Sequence, residues 1–478
     1  MPEQGQQQAT PRFPPTPEKS WREKVKRITG LDRAIAFTVV ARVCQILGST
    51  GTVLMIVHFL SPIEQGYYYT LYSLVNLQIV FELGFSFVIL QMAAHERAYL
   101  TFLPDGRVEG DPIAHKRLAS ILQKVRRWYS TAAVLMFFTL TPAGWYFFLH
   151  HQQAGHAVQW KTPWTLLVFV AALMFQIDPL FSFLEGCGQV AEVARLRMGQ
   201  IVTGVAFGWA ALISGHGLYS PAATLFGQFL IGVFFLRPRR RFLIPLLRMD
   251  TGEHNIGWAS EVWPFQWKIA VSWLCTYFTA QIFTPILFAC CGAVVAGQMG
   301  MSMSIVGSLS LVALAWMSTK SAPFGTMIER KERKSLDALF FRTLLQSTVL
   351  VTIGAVVLIA GLVVLGFFVP RLSARMISVP LFVLLAVTAI CSHIVQSEAL
   401  YLRAHKCEPF LLQSVLLAAL VSASAFVSAR AYGAAGVSWS YLVCMGLLGL
   451  TSGTIIFRTK RREWGYAAET PSTLRGML

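Results

Sequence analysis

The sequence predicts an all-α polytopic membrane protein, with about 12 transmembrane helices in two six-helix lobes around a central cavity. Three observations predict it: the apolar residues come in long blocks, the basic residues fall in alternate gaps between the blocks, and the second half of the chain echoes the first. Of the 478 residues 55% are hydrophobic and only 13% are charged, against about a quarter charged in a soluble domain. At ~20 residues per crossing, the blocks place spans at about 34–58, 66–94, 128–149, 163–185, 194–214 and 218–236 in the first half. The second half gives about 266–290, 294–320, 343–368, 379–402, 409–429 and 435–457.

The net charge of +17 belongs to topology. Thirty-five of the 40 Lys and Arg residues lie in the two chain ends and in the gaps 95–127, 185–197, 237–268, 320–342 and 403–406. Lys161, Arg371, Arg375 and Arg430 lie in the intervening gaps, and Arg42 lies inside a span. Such an asymmetry sets the basic gaps and both termini in the cytoplasm, with the spans in a bacterial inner (plasma) membrane. Nucleic acid is therefore not an expected partner.

Taken in order, residues 1–20, "MPEQGQQQATPRFPPTPEKS", are rich in Pro and Gln and lack a signal-peptide core; they read as a disordered cytoplasmic tail. "SWRE", Ser20 to Glu23, is a capping box that opens a basic interfacial helix over Trp21 to Ile28. The N-lobe runs over 21–236 (interfacial helix plus six spans), a cytoplasmic inter-lobe linker over 237–265, the C-lobe over 266–457, and a cytoplasmic tail over 458–478. Within the gap 95–127, "DPIAHKRLASILQKVRRWY" starts with Asp111 as N-cap and Pro112 at the first helical position. Its apolar set, Leu118, Ile121, Leu122 and Val125, is flanked by basic residues. That pattern fits an amphipathic helix at the lipid headgroups or a solvated loop helix.

The eight cysteines form no C-x-x-C pair and lie mostly inside apolar blocks, so they read as packing residues. His150, His151 and His156 share one short loop, which reads as interfacial; no metal site or cofactor is expected. The chain carries no P-loop, no G-x-S-x-G and no H-E-x-x-H, and no sizeable non-membrane loop gathers acids and bases. An enzyme is not expected.

Two segment pairs carry the internal echo. "EQGYYYTLYSL" (Glu64 to Leu74) is similar to "QMGMSMSIVGSL" (Gln298 to Leu309), with Gly66 matching Gly300. "FLEGCGQVAE" (Phe183 to Glu192) is similar to "YLRAHKCEPF" (Tyr401 to Phe410), with Glu185 opposite Arg403. Paired halves of this kind are a transporter design, with the path between them.

The first span carries Arg42, Gln45, Ser49 and Thr52 at spacings that put all four on one helical face. Facing lipid, a mid-span Arg alone costs ~2.5–3.5 kcal/mol, so the stripe must face protein or water. Lys268, Ser272, Thr276 and Thr279 repeat the pattern on the seventh span, and Asn76 on the second span is grouped with them as substrate-binding. Helix–helix packing also accounts for hydroxyls in such positions, and snorkelling accounts for Lys268. Glu82 lies at nearly the depth of Arg42, within ~3 Å by helical rise, so adjacent helices could pair them. The remaining deep charges are Asp178, which precedes Pro179, His393 and Glu398; with Glu82 they are the candidates for coupling or gating. Tyr67, Tyr68, Tyr69 and Tyr72 fit an interfacial aromatic belt or a stacking surface for sugars.

The order of a basic N-terminus, a span with Arg42 and Gln45, then "LSPIEQGYYYTLYSL" and "FELGFSFVILQ", resembles the start of polysaccharide and O-antigen flippases. These belong to the multidrug/oligosaccharidyl-lipid/polysaccharide exporter superfamily. "VAGQMGMSMSIVGSLSLVALAWMSTKSAPFG" resembles that family's eighth span. The resemblance implies two lobes in a V around a cationic cavity lined by spans 1, 2, 7 and 8, with Arg42 and Lys268 as the matching cations. It implies a flippase that moves an anionic lipid-linked oligosaccharide or polysaccharide precursor by alternating access, coupled to an ion or proton gradient. Membrane lipids, a polysaccharide polymerase and glycosyltransferases are the other expected partners. This sequence departs from the most basic lumens of the family in its few deep cations and its nearby Glu82. Two rivals stay open: a multidrug/cation antiporter of the same superfamily, centred on Glu82 and Asp178, and a non-transporting scaffold of envelope polysaccharide assembly. A major-facilitator carrier is disfavoured, because "HERAYLTFLPDGRVEGD" lacks the Gly-Asp-Arg-type signature of that loop.

Overall fold

A chain this apolar must satisfy its backbone internally once in lipid, and helices do so. The computed structural model describes residues 33–102, 108–152, 158–252, 255–405 and 409–464. The expected tail over 1–20, the capping box at Ser20 and His156 lie outside them. The described helices of the first half are α1 (Arg33–Phe59), α2 (Pro62–Val75), α3 (Ile79–Glu82), α4 (Phe85–Arg97), α5 (Pro112–His151), α6 (Lys161–Gly186), α7 (Val190–Ile213) and α8 (Ser220–Arg248). Those of the second half are α9 (Trp263–Ala280), α10 (Phe283–Cys291), α11 (Ala293–Ser318), α12 (Ser321–Glu329), α13 (Arg333–Phe368), α14 (Pro370–Ser373), α15 (Val379–Ala404), α16 (Leu411–Tyr441) and α17 (Leu450–Glu463).

Among the described residues 9 helices are long and apolar enough to cross a membrane, or 10 with the bent pair Pro62–Glu82 and Phe85–Arg97. The apolar stretch Cys44–Phe59 adds the first span. The 53-residue run Leu411–Glu463 holds two passes, because Gly433 breaks it with φ of 60°. The total returns to the expected dozen. Successive spans reverse at 60–61, 152–160, 214–219, 292, 369–378 and 433 at one end, here the far end. They reverse at 98–111, 187–189, 249–262, 319–332 and 405–410 at the other, the linker end.

Several helices overrun the expected spans. The third span and the basic segment before it form one 40-residue helix, capped as the sequence suggests: Asp111 accepts from the N–H groups of Ile113 (3.1 Å) and Ala114 (3.4 Å). The apolar face of the amphipathic segment is turned to neither headgroups nor solvent. Its apolar residues Leu118, Ile121, Leu122 and Val125 are buried in the protein core. They are covered by the segment between α8 and α9, which docks through Ser120 to Asn255 (2.7 Å), Gln123 to the Met249 carbonyl (2.8 Å), Lys124 to the Ile256 carbonyl, and Trp258 between Trp128 and Phe85. The sixth span likewise continues to Arg248, past residue 236, and turns Phe242, Leu243 and Leu246 inward. A short antiparallel hairpin, Leu100–Phe102 with Val108–Gly110, fills the gap before α5.

Arg117 ties this linker down, donating to Glu96 (2.8 Å) and Glu261 (2.6 Å). The Arg117 guanidinium, helped by the Gly257 N–H, holds the Glu261 carboxyl below its usual range. A depressed folded-state pKa stabilises the docked form above the unfolded value near 4.5 and loses that stabilisation as pH falls through the folded value. Limited proteolysis of the linker is therefore expected to speed up only below about pH 4.5, and Glu261→Gln should show the faster rate at neutral pH. The effect is small, since the pair is partly exposed. A Glu261→Gln protein cleaved at the parent rate would contradict it.

The second span is irregular. Its helix loosens at Asn76–Gln78 and breaks at Leu83 and Gly84, both left-handed at φ of 51° and 65°, which bends it by 44°. Gly84 also packs against Ile269 of α9 so closely that a side chain there would clash. A left-handed leucine costs of order 1 kcal/mol, so the surrounding packing imposes the break.

Candidate functional site

A cavity of about 710 Å³ lies between the two halves of the chain. Its walls come from α1 (Gln45, Ser49, Thr52), α2 (Tyr68, Tyr69, Tyr72, Ser73), α7 and α8 (Val205, Thr224, Gln228), and α9 and α10 (Ala280, Thr284), with Gln281 between them. The remainder comes from α11 (Gly300 to Leu314), α15 (Ser392, Gln396) and Tyr441. Along α11 the lining runs from Gly300 to Leu314, ~21 Å at helical rise, from just inside the far end toward the linker end.

The stripe on α1 is held in place. Thr52 accepts from the Trp209 indole (2.9 Å) and donates to the Gly48 carbonyl (2.7 Å), Ser49 donates to the Ile46 carbonyl (2.9 Å), and Ser308 faces Ser49 at 3.5 Å. Each hydroxyl thus satisfies itself on its own helix or a neighbour and still lines the opening, which is how a helix carries polar groups in an apolar medium. The tyrosines do not form an outer belt. Tyr68, Tyr69 and Tyr72 line the cavity, with the Tyr68 ring centroid 5.2 Å from that of Tyr69 and 5.1 Å from that of Tyr72, while Tyr67 is buried in the core between Phe148 and Phe288.

The other expected site residues fall as follows. Arg42 sits on α1, one turn toward the linker end from Gln45; its side chain lies outside the described ones. Asn76, Lys268, Ser272, Thr276 and Thr279 are not among the lining residues. Lys268 and Thr276 are exposed, with Lys268 5.9 Å from the Trp267 ring. The seventh span is interrupted at Gln281–Ile282 between α9 and α10, and the residues of this span that reach the cavity lie at or beside that break: Ala280, Gln281 and Thr284. Asn76 caps the end of α2 instead. Among the described lining residues there is no Asp, Glu, Lys, Arg or His.

The deep charges gather outside the cavity, inside each half. In the first half Glu82, at the break of the second span, lies within reach of Ser86, Asp178 and Arg197. Arg197 donates to Asp178 at 2.7 Å. Sequence reading pairs Glu82 with Arg42 by depth; it misses Arg197, at the start of α7, because that residue falls in a gap of basic residues. In the second half His393 is 2% exposed with Nε2 2.9 Å from the Ser347 hydroxyl, and Glu398, 4% exposed, accepts from Thr454 at 3.1 Å. Among the described residues no group of three or more His, Cys, Asp or Glu could hold a metal ion.

A helical membrane protein whose two halves enclose a polar cavity has the architecture of a transporter. No family model matches the sequence, and no curated protein is similar to it in sequence. Solved structures share the fold. The chain is similar to the lipid II flippase MurJ in an inward closed conformation (TM-score 0.58, 12% identity, 90% of this chain and 87% of that one). It is similar to an inward-facing multidrug resistance MATE family transporter of the MOP superfamily (TM-score 0.57, 12% identity, 92% and 100%). A third is the MATE multidrug transporter DinF-BH (TM-score 0.55, 15% identity, 90% and 95%). At such identities the likeness is one of fold: a multi-pass helical membrane protein folded like MOP-superfamily transporters.

Proposed function

We propose that this protein flips a lipid-linked oligosaccharide or polysaccharide precursor across the inner membrane by alternating access, driven by an ion or proton gradient. The observation that carries this reading is the chemistry of the cavity wall. Its described polar lining is hydroxyls, primary amides and tyrosine rings. Hydroxyls and amides both donate and accept, which suits the alternating donors and acceptors of a sugar, and the tyrosine faces suit its C–H surfaces. A volume of about 710 Å³ accommodates a short oligosaccharide while the lipid tail stays in the bilayer. Arg42, which follows the α1 stripe by helical spacing, would meet the pyrophosphate with a bidentate fork. The clusters Glu82–Asp178–Arg197 and Glu398–Thr454 would carry the coupling. The rival, a cation antiporter, draws on the same fold likeness, but it needs a carboxylate in the wall, and the described lining holds none.

The test is transfer of a fluorescent lipid-linked oligosaccharide between leaflets of reconstituted vesicles. Flipping above the protein-free rate is expected, lost in Arg42→Ala without loss of folded protein and partly kept in Arg42→Lys. Absent flipping together with gradient-driven efflux of a fluorescent cation would replace this reading by the antiporter.

A further inference from the structure

At the far end the two halves are tied through the side chain of one arginine. Arg375 lies in the turn between α14 and α15, in the second half. Its guanidinium donates to the carbonyl of Leu60 (2.6 Å) and lies near that of Val57 (3.5 Å), both in the last turn of α1 or just past it, and near Oε1 of Gln65 (3.4 Å). Gln65, 1% exposed, donates from Nε2 to two carbonyls of the second half, Gly297 and Arg375 itself, each at 2.9 Å. The turn is fixed in place from below: Gln298 donates to the Ala374 carbonyl (2.9 Å), and the Ser302 hydroxyl accepts from the Ile377 N–H (3.2 Å).

The physical sense of this arrangement lies in the end of α1. The last carbonyls of a helix have no partner within it and carry the negative end of its dipole. Capping usually comes from the following residues of the same chain segment. Here the cap is a cation from the other half, and the helix it caps is the one whose Gln45, Ser49 and Thr52 line the cavity. Gln65 completes the tie, because its amide gives both N–H groups to the second half and offers its oxygen to the arginine. The cavity begins just below, at Gly300 and Tyr69. Any opening of the far end that separates α1 and α2 from α11 must break these bonds together.

We propose that Arg375 and Gln65 form the latch that holds the far end of the cavity shut, and that its release is the step that exposes the cavity on that side. The far end is the outer one by the placement of basic residues. The latch rests on the alternating-access reading for its purpose, but its existence is tested without substrate.

A cysteine placed at Ser304, which is exposed in the cavity wall, reports access. Membrane-impermeant maleimide is applied to intact right-side-out vesicles from the side of the 369–378 turn, with the parent lacking Ser304→Cys as the blank for native thiols. In the otherwise unchanged protein, labelling is expected to be slow. Arg375→Ala and Gln65→Ala should each raise it about tenfold, as expected when a buried, charge-assisted tie is removed from one of two states. Arg371→Ala, which removes an exposed cation from the same turn, should leave it unchanged. Arg375→Lys keeps the charge but not the fork and should fall between; it carries the test with Gln65→Ala if Arg375→Ala does not accumulate. Labelling at the parent rate in the folded variants overturns the latch. Raised labelling in a protein that flips no glycan keeps the latch and rejects the substrate.

Discussion

Replacing Gly66 by leucine is expected to abolish folded protein, whereas replacing Gly307 by leucine is expected to leave folding intact and block transport. Both glycines lie on helices that border the cavity, and nothing in their sequence context ranks them. The structure does. α2 and α11 cross at Gly66 and Gly297 with backbone against backbone: a Cβ on Gly66 would fall inside the carbonyl of Ala293, and one on Gly297 would come within 2.8 Å of the Gly66 nitrogen. Small residues at a helix crossing let the backbones approach and gain dispersion contacts that lipid does not supply. The obstacle to a side chain at Gly66 is main chain, which has no rotamer to move, so the helices must separate. Overpacking of this kind costs ~1–3 kcal/mol when the core can yield, and more here, because separation also breaks the Gln65 bonds to Gly297 and Arg375. At Gly307 an added Cβ meets nothing within 4 Å. A leucine there gains ~1 kcal/mol of helix propensity and projects into the cavity. Size-exclusion profiles of the two variants, followed by the flipping assay on whichever is monodisperse, check the pair. A well-folded Gly66→Leu protein, or full flipping by Gly307→Leu, would contradict the geometry.

The two glycines illustrate how far the sequence can be read. Hydropathy gives the number of the spans, since it is a property of each segment alone, and the alternate placement of Lys and Arg agrees with the ends at which the chain reverses. The α1 stripe is legible because Gln45, Ser49 and Thr52 lie on one unbroken helix, where spacing alone defines a face. The same rule misdirects Lys268, Ser272, Thr276 and Thr279: they do share one helix, α9, but the cavity meets this span only at its break, where Pro285 takes away the donor to the Gln281 carbonyl four residues back and Ser73 donates to that carbonyl instead. The left-handed Leu83 is invisible: leucine is a good helix former, and only packing puts it in that conformation. Arg375 enters the sequence reading as one of four basic residues on the sparse side. A count of charges assigns it a side of the membrane; its role follows from carbonyls more than 300 positions away in the chain.

The second large effect is expected at the linker end, where Asp337→Ala should destabilise the second half by ~2–3 kcal/mol and release the C-terminal helix. Asp337 opens the long helix α13. One of its carboxylate oxygens accepts from the hydroxyl of Tyr401 at 2.8 Å, and the other receives the guanidinium of Arg461 from α17. Tyr401 is fully buried among Phe340, Phe324 and Phe457, and Arg461 lies over the rings of Phe341 and Phe457. One carboxylate thus joins α13, α15 and α17 within an aromatic cluster. The side chains of the pair are only 20% and 21% exposed, so water replaces the lost carboxylate poorly. Alanine removes the acceptor both groups use; asparagine keeps an acceptor for Tyr401 and loses the charge, and should cost about half as much. A lower melting temperature by intrinsic fluorescence, together with faster trypsin cleavage within the Lys460–Arg462 run, is the expected result. The far end is untouched by the change, so maleimide access to a cysteine at Ser304 from that side should stay at the parent rate. Parent-like melting and cleavage in Asp337→Ala would mean that the aromatic packing around Tyr401 holds the three helices without the carboxylate.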